Sequence, residues 1–173
     1  MKIESKRLKF RRYKNDDFDF LLSLLTDAEM VRYIGEGRTR NREDAKKFLE
    51  RIHYIYEHEQ GLGLMILEDK ETGSRIGHAG LVPQTVGGRK EVEIGYWVSR
   101  AHWGKGYATE AAIALRDHGF DVLDEKRLIA LIQPGNIASI KVAEKVGMAL
   151  EKKISFHGQD VHLYSISDQY FYF

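Results

Sequence analysis

Two glycines flank a lysine at Gly104-Lys105-Gly106, between a strand-like run, Glu93-Ile94-Gly95-Tyr96-Trp97-Val98, and a helix-like run opening at Tyr107-Ala108-Thr109-Glu110-Ala111. Glycine has no Cβ, so such a loop lets the backbone approach a ligand closely. The helix behind it offers unpaired N–H groups and the positive end of its dipole. Together these features bind phosphate or pyrophosphate. The common phosphate motifs do not explain the loop. A P-loop needs G-x-x-x-x-G-K-S/T, whereas Lys105 precedes the second glycine and no Lys-Ser/Thr pair follows it. A dinucleotide fingerprint needs a third glycine near the start of the fold, but Thr109 holds that place and about 90 residues precede the strand that leads into the loop. Alone, G-K-G also reads as a strand-to-helix turn with an exposed lysine.

The strand-like run also carries carboxylates. Period-two alternation places Glu91, Glu93, Gly95 and Trp97 on one face, and Val92, Ile94, Tyr96 and Val98 on the other. A carboxylate beside a partly buried cleft has a raised pKa suited to removing a proton. The alternative is a solvated face with two ordinary glutamates. Downstream, a strand at Arg127-Leu128-Ile129-Ala130-Leu131-Ile132 leads into Pro134-Gly135-Asn136-Ile137-Ala138-Ser139. Asn136 is a natural helix N-cap. Ser139 falls in the first turn, where a solvent-facing serine is the plain alternative to a chemical role. Seven histidines are scattered, none at H-x-x-x-H spacing backed by a carboxylate, so no metal site is expected.

At these residues the sequence resembles the GNAT acyl-CoA-dependent N-acetyltransferases, and among them the RimJ/RimL-like branch. The family loop is Q/R-x-x-G-x-G/A. Gly106 and Ala108 occupy its small positions, while Trp103 stands where Gln or Arg is usual, a form this branch tends to carry. The stretch from Asn136 to Gly147-Met148 is similar to the family's N-x-x-A/S…G-F block, with Met148 for Phe. The resemblance is strong over residues 91–150 and looser before them. It implies a twisted mixed sheet of about six to seven strands, splayed between the fourth and fifth to admit the cofactor, with about four helices. It further implies acetyl-CoA as cofactor, with CoA as product, held at Gly104, Lys105, Gly106, Tyr107, Ala108 and Thr109. Trp97 and Val98 would run beside pantetheine, with Asn136 and Ser139 as further contacts. Glu93, nearer the splay than Glu91, becomes the expected base, and Ser139 a candidate proton donor to the leaving thiolate. The tyrosine that many members use one turn later is Ala143 here, so that version of the mechanism does not carry over. Glu110, an anion in the first turn of the helix, is expected to face away from the phosphates.

An amine attacks only in its neutral form. At pH 7 a lysine-like amine of pKa about 10.4 gives up roughly 4.6 kcal/mol, against about 1 kcal/mol for an α-amine. A weak base therefore suffices for a protein N-terminus but not for a polyamine. The expected acceptor is a protein α-amine, as in the ribosomal-protein acetyltransferases, with a polyamine or aminoglycoside second. A non-catalytic acyl-CoA-binding module is the alternative of another class. In the family the region of Arg38-Thr39-Arg40 walls the acceptor cleft; a solvated basic loop is the competing reading.

Composition narrows the field. A chain of 173 residues suits one domain, with 27 basic against 26 acidic residues and a net charge of +1. That balance is no footprint for nucleic acid or for an anionic membrane. No signal peptide or membrane-spanning run is visible in the residues given. With no cysteine, disulfides, thiolate metal sites and a cysteine acyl-enzyme are excluded, which favours direct attack by the acceptor. A cytoplasmic enzyme is the simple expectation.

The elements that position these residues follow from periodicity. A first strand spans Leu8–Arg12, and Asn15 is placed to cap a helix carrying Phe18, Leu21, Leu22 and Leu25. A second helix covers 42–59, with Ala45, Phe48, Leu49, Ile52 and Ile55 on one face. Strands near 62–69, 75–83 and 91–98 are separated by Glu71-Thr72-Gly73 and Val86-Gly87-Gly88-Arg89. A helix at 107–121, the strand at 127–132, a helix ending at Val146 and strands near 149–157 and 160–166 complete the chain. The tail Tyr170-Phe171-Tyr172-Phe173 either covers a homodimer interface or finishes the core. The whole is an α/β layered domain.

Overall fold

Alternating apolar residues and two kinds of turn build the first four strands. The structure, a computed structural model, describes residues 2–171, with side chains through residue 169. The strands β1 (Leu8–Arg12), β2 (Gly63–Asp69), β3 (Arg75–Val86) and β4 (Arg89–Val98) form an antiparallel meander. Gly87 and Gly88 close the last hairpin with φ of +56° and +78°, a turn that wants glycine at both centres. Next come β5 (Arg127–Ile132), β6 (Ala149–Phe156) and β7 (Gln159–Ser167), giving one sheet in the order β1-β2-β3-β4-β5-β7-β6. The helices are α1 (Phe18–Leu25), α2 (Ala28–Val31), α3 (Arg42–His58), α4 (Tyr107–Asp121), α5 (Ile137–Val146) and α6 (Asp168–Phe171).

The two faces of the sheet bury separate apolar clusters. On one, Ile94 and Val98 of β4 and Leu128 of β5 pack against Ala111, Ala112 and Leu115 of α4 and Ala143 and Val146 of α5. On the other, Ile66 of β2 packs with Leu21 and Leu25 of α1 and Ala45, Leu49 and Ile52 of α3, with Trp97 against their edge. Alternation along β4 therefore sends Ile94 to the α4–α5 side and Trp97 to the α1–α3 side.

The central feature is a parting of strands. β4 and β5 run parallel and share one register pair, Glu93 with Ile129. Beyond it, residues 94–98 and 130–132 diverge. This is the splay expected between the fourth and fifth strands, and the four helices of eight or more residues match the expected number.

Some local expectations need correcting. Asn15 does not cap α1; it starts a single 3₁₀ turn, Asn15–Asp17, with no side-chain cap bond on α1. Asp17 organises that corner instead. Its carboxylate accepts from the Lys14 N–H at 2.8 Å and from both terminal nitrogens of Arg11, at 2.8 and 2.9 Å. The short α2 went unforeseen because four residues carry no periodicity; Asp27 caps it, accepting from the N–H groups of Glu29 and Met30. β3 continues to Val86, past the expected end at Pro83, because Pro83 to Val86 pair in register with β4. The aromatic side chains of residues 170–173 lie outside the described side chains.

Candidate active site

The parted strands line a cavity of about 810 Å³. Its walls include β4 from Glu93 to Val98, β5 from Ala130 to Ile132, the loop residues His102, Trp103, Gly104 and Gly106, and the first turn of α4. α5 lines it with Asn136, Ser139, Lys141, Val142 and Lys145, and residues 29–34 close the far side. Ten of the sequence-derived candidates lie on this wall: Glu93, Trp97, Val98, Gly104, Gly106, Tyr107, Ala108, Thr109, Asn136 and Ser139. Lys105 does not; its side chain is exposed.

The glycine loop has the form its sequence suggests. Gly104 and Gly106 adopt φ of +75° and +81°, the left-handed region where a Cβ is costly. No heavy atom lies within 4 Å of where a Gly104 Cβ would stand. Gly106 is the N-cap of α4, and its carbonyl accepts from the Glu110 N–H at 3.1 Å. The N–H groups of Tyr107, Ala108 and Thr109 thus have no helical acceptor, an arrangement suited to an anion. The loop is anchored to β4 by Trp103, whose indole Nε1–H donates to the Val98 carbonyl at 2.6 Å. That bond gives Trp103 a structural task where the family usually has Gln or Arg, and it occupies one carbonyl of β4.

Spacing gives no sign of Arg7, about a hundred residues from the loop. Its guanidinium lies 4.2 Å from the centre of the Tyr107 ring, and one terminal nitrogen is 3.5 Å from a Cβ built on Gly106. Glu110 holds it there: the carboxylate accepts from the Arg7 backbone N–H at 2.8 Å, from Arg7 Nε at 2.7 Å, and from Ser5 Oγ. Burial pushes the Glu110 carboxyl up, but the bonds from Ser5 and Arg7 outweigh it and hold it below its ordinary value. The carboxylate is thus turned toward the β1 lead-in and neutralised there. An anchored cation stands beside the cradle, and the donors present fit the diphosphate of a CoA thioester.

Glu93 and Glu91 sit in unlike surroundings. Glu91 is nearly buried and bound by Arg127 through both carboxylate oxygens, at 2.8–3.2 Å. Arg127 also bridges Glu151. Glu93 has no cationic partner among the described residues; its Oε1 accepts from Gln84 Nε2 at 2.9 Å. Burial deep in the sheet raises its pKa to about 7, against smaller opposing effects of Gln84 and the Leu131 backbone. A carboxyl of that pKa on a cavity wall suits proton transfer near neutrality.

Across the splay, Asn136 caps α5, its Oδ1 accepting from the Ser139 N–H at 3.3 Å. The Tyr96 hydroxyl donates to the Ser139 carbonyl at 3.0 Å, tying β4 to α5 through the cavity. Burial foremost, and the nearby Glu93 next, push the Tyr96 phenol well above its usual pKa. Alternation assigns Tyr96 a face but no partner, so this link was not legible in sequence. Ala143 is buried in the core and presents no hydroxyl to the site.

The far wall is an arch of chain over the α1–α3 side. Gln133 Nε2 donates to the Gly35 carbonyl at 2.7 Å, and the Tyr33 ring lies against Gly135, 2.9 Å from a Cβ built there. Beneath the arch an aromatic cluster joins α3 to the sheet: Phe48 is 5.7 Å from Trp97, and His78 is 4.6 Å from Trp97 between ring centres. His78 is fully buried, with its Nδ1 2.6 Å from the Tyr13 hydroxyl, and burial lowers its pKa to about 3. It stays neutral at any physiological pH.

With this geometry in place, comparison with known proteins defines the class. Residues 7–149 match the Acetyltransferase (GNAT) domain family, and the chain belongs to it. It is an N-acetyltransferase that uses acetyl-CoA. The chain is 37% identical to the uncharacterized protein YkkB of Bacillus subtilis (strain 168), over 94% of each chain. It is 34% identical to the uncharacterized N-acetyltransferase YnaD of the same organism, over 87% of this chain and 84% of that one. To the spermidine N(1)-acetyltransferase of Escherichia coli (strain K12) it is 28% identical, over 94% and 81% respectively. The crystal structure of a GNAT-family acetyltransferase from Bacillus anthracis superposes with a TM-score of 0.80 at 28% identity, covering 98% of this chain and 99% of that one. The fold is shared as well with RimL, the ribosomal L7/L12 alpha-N-protein acetyltransferase in complex with coenzyme A, at a TM-score of 0.78 and 18% identity, over 96% and 98%.

Proposed function

We propose that this N-acetyltransferase modifies a protein N-terminal α-amine by direct attack, with Glu93 as base. The observation that carries this reading is the placing of Glu93, raised to about pKa 7 and free of any cationic partner among the described residues, on the same cavity wall as the glycine cradle. Bound acetyl-CoA supplies an acetyl thioester as electrophile. The N–H groups of residues 107–109, with Arg7 beside them, hold its diphosphate. Residues 94–97 of β4 and the Asn136 cap line the cavity and would hold the pantetheine arm. Glu93 accepts the proton that the amine nitrogen loses as it gains the acetyl group. Ser139, also on the cavity wall, would return a proton to the departing sulfur.

A base titrating near 7 is matched to an α-amine, which needs only about 1 kcal/mol to become neutral at pH 7. A polyamine needs several times that. Likeness to RimL in fold and the lack of an acidic funnel in the net charge support a peptide acceptor. A small-molecule amine is the second reading, supported by the 28% identity to a spermidine acetyltransferase. The deciding experiment incubates the protein and acetyl-CoA with a peptide library and with spermidine, reading added acetyl groups by mass spectrometry. Acetylated N-termini are expected; acetylated spermidine with unmodified peptides would reverse the order of the two readings. We also place the enzyme in the cytoplasm.

A further inference from the structure

We infer that Gln84 is a positioning residue for the base: its side-chain amide holds one oxygen of the Glu93 carboxylate and keeps the group ready to take the amine's proton. The inference rests on the reading of Glu93 as base and adds a residue to it. In the β3–β4 register Val82 lies opposite Glu93, and Gln84 lies opposite Glu91. Gln84 is thus the diagonal neighbour of Glu93, a separation that a long side chain spans. Val82, directly opposite, has no group to donate. Gln84 Nε2 donates to Glu93 Oε1 at 2.9 Å, and Gln84 is itself half-buried, so water competes weakly for the bond. The backbone of Glu93 is already held where the strands part, at its pairing with Ile129. Its side chain is the freedom left, and Gln84 is its one side-chain partner among the described residues.

The neighbouring glutamate shows what a different partner does. Glu91 lies two residues away on the same face and is held by Arg127, which also binds Glu151. A guanidinium keeps its carboxylate ionised and so makes it a poor base. An apolar partner would leave a buried carboxyl protonated well above neutrality. A neutral amide falls between these, since it favours the ionised form without supplying a charge to cancel it. Burial raises the Glu93 carboxyl to about 7, and the Gln84 bond opposes that rise. Around Glu93 stand Tyr96 on β4, the Arg127–Glu91–Glu151 cluster, and Glu29, Arg32, His102, Lys141 and Lys145 on the cavity wall. None of these makes an ion pair with Glu93 among the described residues. From Ile76 to Val86, β3 adds only His78, which stays neutral.

The test follows the Glu93 carboxyl itself. NMR of protein isotopically labelled at its glutamate carboxyls gives the titration midpoint without any ligand, and Glu93→Gln identifies the signal by its loss. Gln84→Met, of similar length and with no donor, should raise the midpoint by about one pH unit, the worth of a hydrogen bond to a charged group. Gln84→Lys should lower it by about as much. Opposite shifts distinguish a partner of the carboxylate from a packing role, which would lose activity at every pH. Turnover is then measured with saturating acetyl-CoA and whichever of the library peptides and spermidine is acetylated fastest. Taking the ratio to wild type removes the acceptor's own titration. In that ratio, kcat of Gln84→Met should fall about fivefold at pH 7 and return to within about twofold at pH 9. Thermal melting and acetyl-CoA affinity of each variant exclude a folding defect. Midpoints that move by less than about 0.3 pH unit in both variants, with Glu93→Gln still impaired, would overturn the role of Gln84 and leave the base in place. A rate ratio that stays flat from pH 7 to pH 9 would overturn it too. Full turnover of Glu93→Gln would defeat the base, and the role of Gln84 with it.

Discussion

At the 104–109 end of the cavity the wall is backbone: two glycines with positive φ and three unpaired N–H groups from one continuous segment. At the 29–34 end it is side chains, brought by α2, the arch and β5 from segments far apart in sequence. The first end needs only small residues and a helix start to present its donors, so one form serves many proteins that bind the same cofactor. The second end is tuned by which charges and rings line it. That difference explains how relatives of one fold can carry names as unlike as a spermidine and a ribosomal-protein acetyltransferase.

The sharpest way to break this contrast is at Gly106. A Gly106→Val change forces a β-branched residue to φ near +81° and puts bulk beside Arg7 in the cradle. Calorimetry should show acetyl-CoA affinity lowered about 100-fold or more, from backbone strain of roughly 1–2 kcal/mol and the blocked approach together. An affinity within a few fold of wild type would show that backbone geometry does not set this end.

Glu93 comes next, because it stands where the two ends meet. Glu93→Gln should lower kcat/KM about tenfold for an α-amine and about 100-fold or more for a high-pKa amine. The rise of activity with pH near 7 should vanish with it. The stability effect has the opposite sign. Since the folded state holds a proton on Glu93 up to about pH 7, and the unfolded chain releases it near 4.5, wild-type stability falls as pH rises through that window. Denaturant titration should therefore find the variant more stable than wild type at pH 8, by roughly 1–3 kcal/mol, and not at pH 4.

Smaller effects sharpen the picture of the cradle. Arg7→Gln removes the cation that Glu110 anchors beside the loop, and acetyl-CoA affinity should drop about threefold to tenfold, more at low salt. Lys105→Ala, whose exposed side chain is off the cavity wall, should change it by about twofold or less. A larger effect of Lys105 than of Arg7 would place the decisive charge on the loop rather than on the β1 lead-in.

Much of this was legible in the residues. G-K-G before a helix start, alternation through Glu93 and Trp97, and Asn136 after Pro134-Gly135 are local patterns, and each sits where its spacing put it. The preference for Glu93 over Glu91 had only position behind it. The structure adds a physical contrast, since Arg127 comes from β5 to occupy Glu91 and leaves Glu93 with a glutamine. Asn15 misled because several polar residues precede α1, and the choice among them fell to Arg11, which fixes Asp17. Arg7 and Tyr96 could not be found from spacing, because each acts on a partner tens of residues away.

The sequence by itself determined the elements, the glycine cradle, the capped start of α5 and hence the class of cofactor, because these depend on neighbours within one or two turns of chain. Tertiary structure alone decided which glutamate Arg127 occupies and which arginine stands beside the cradle. Those outcomes depend on burial and on charges meeting across the sheet, and both arise only when distant segments pack.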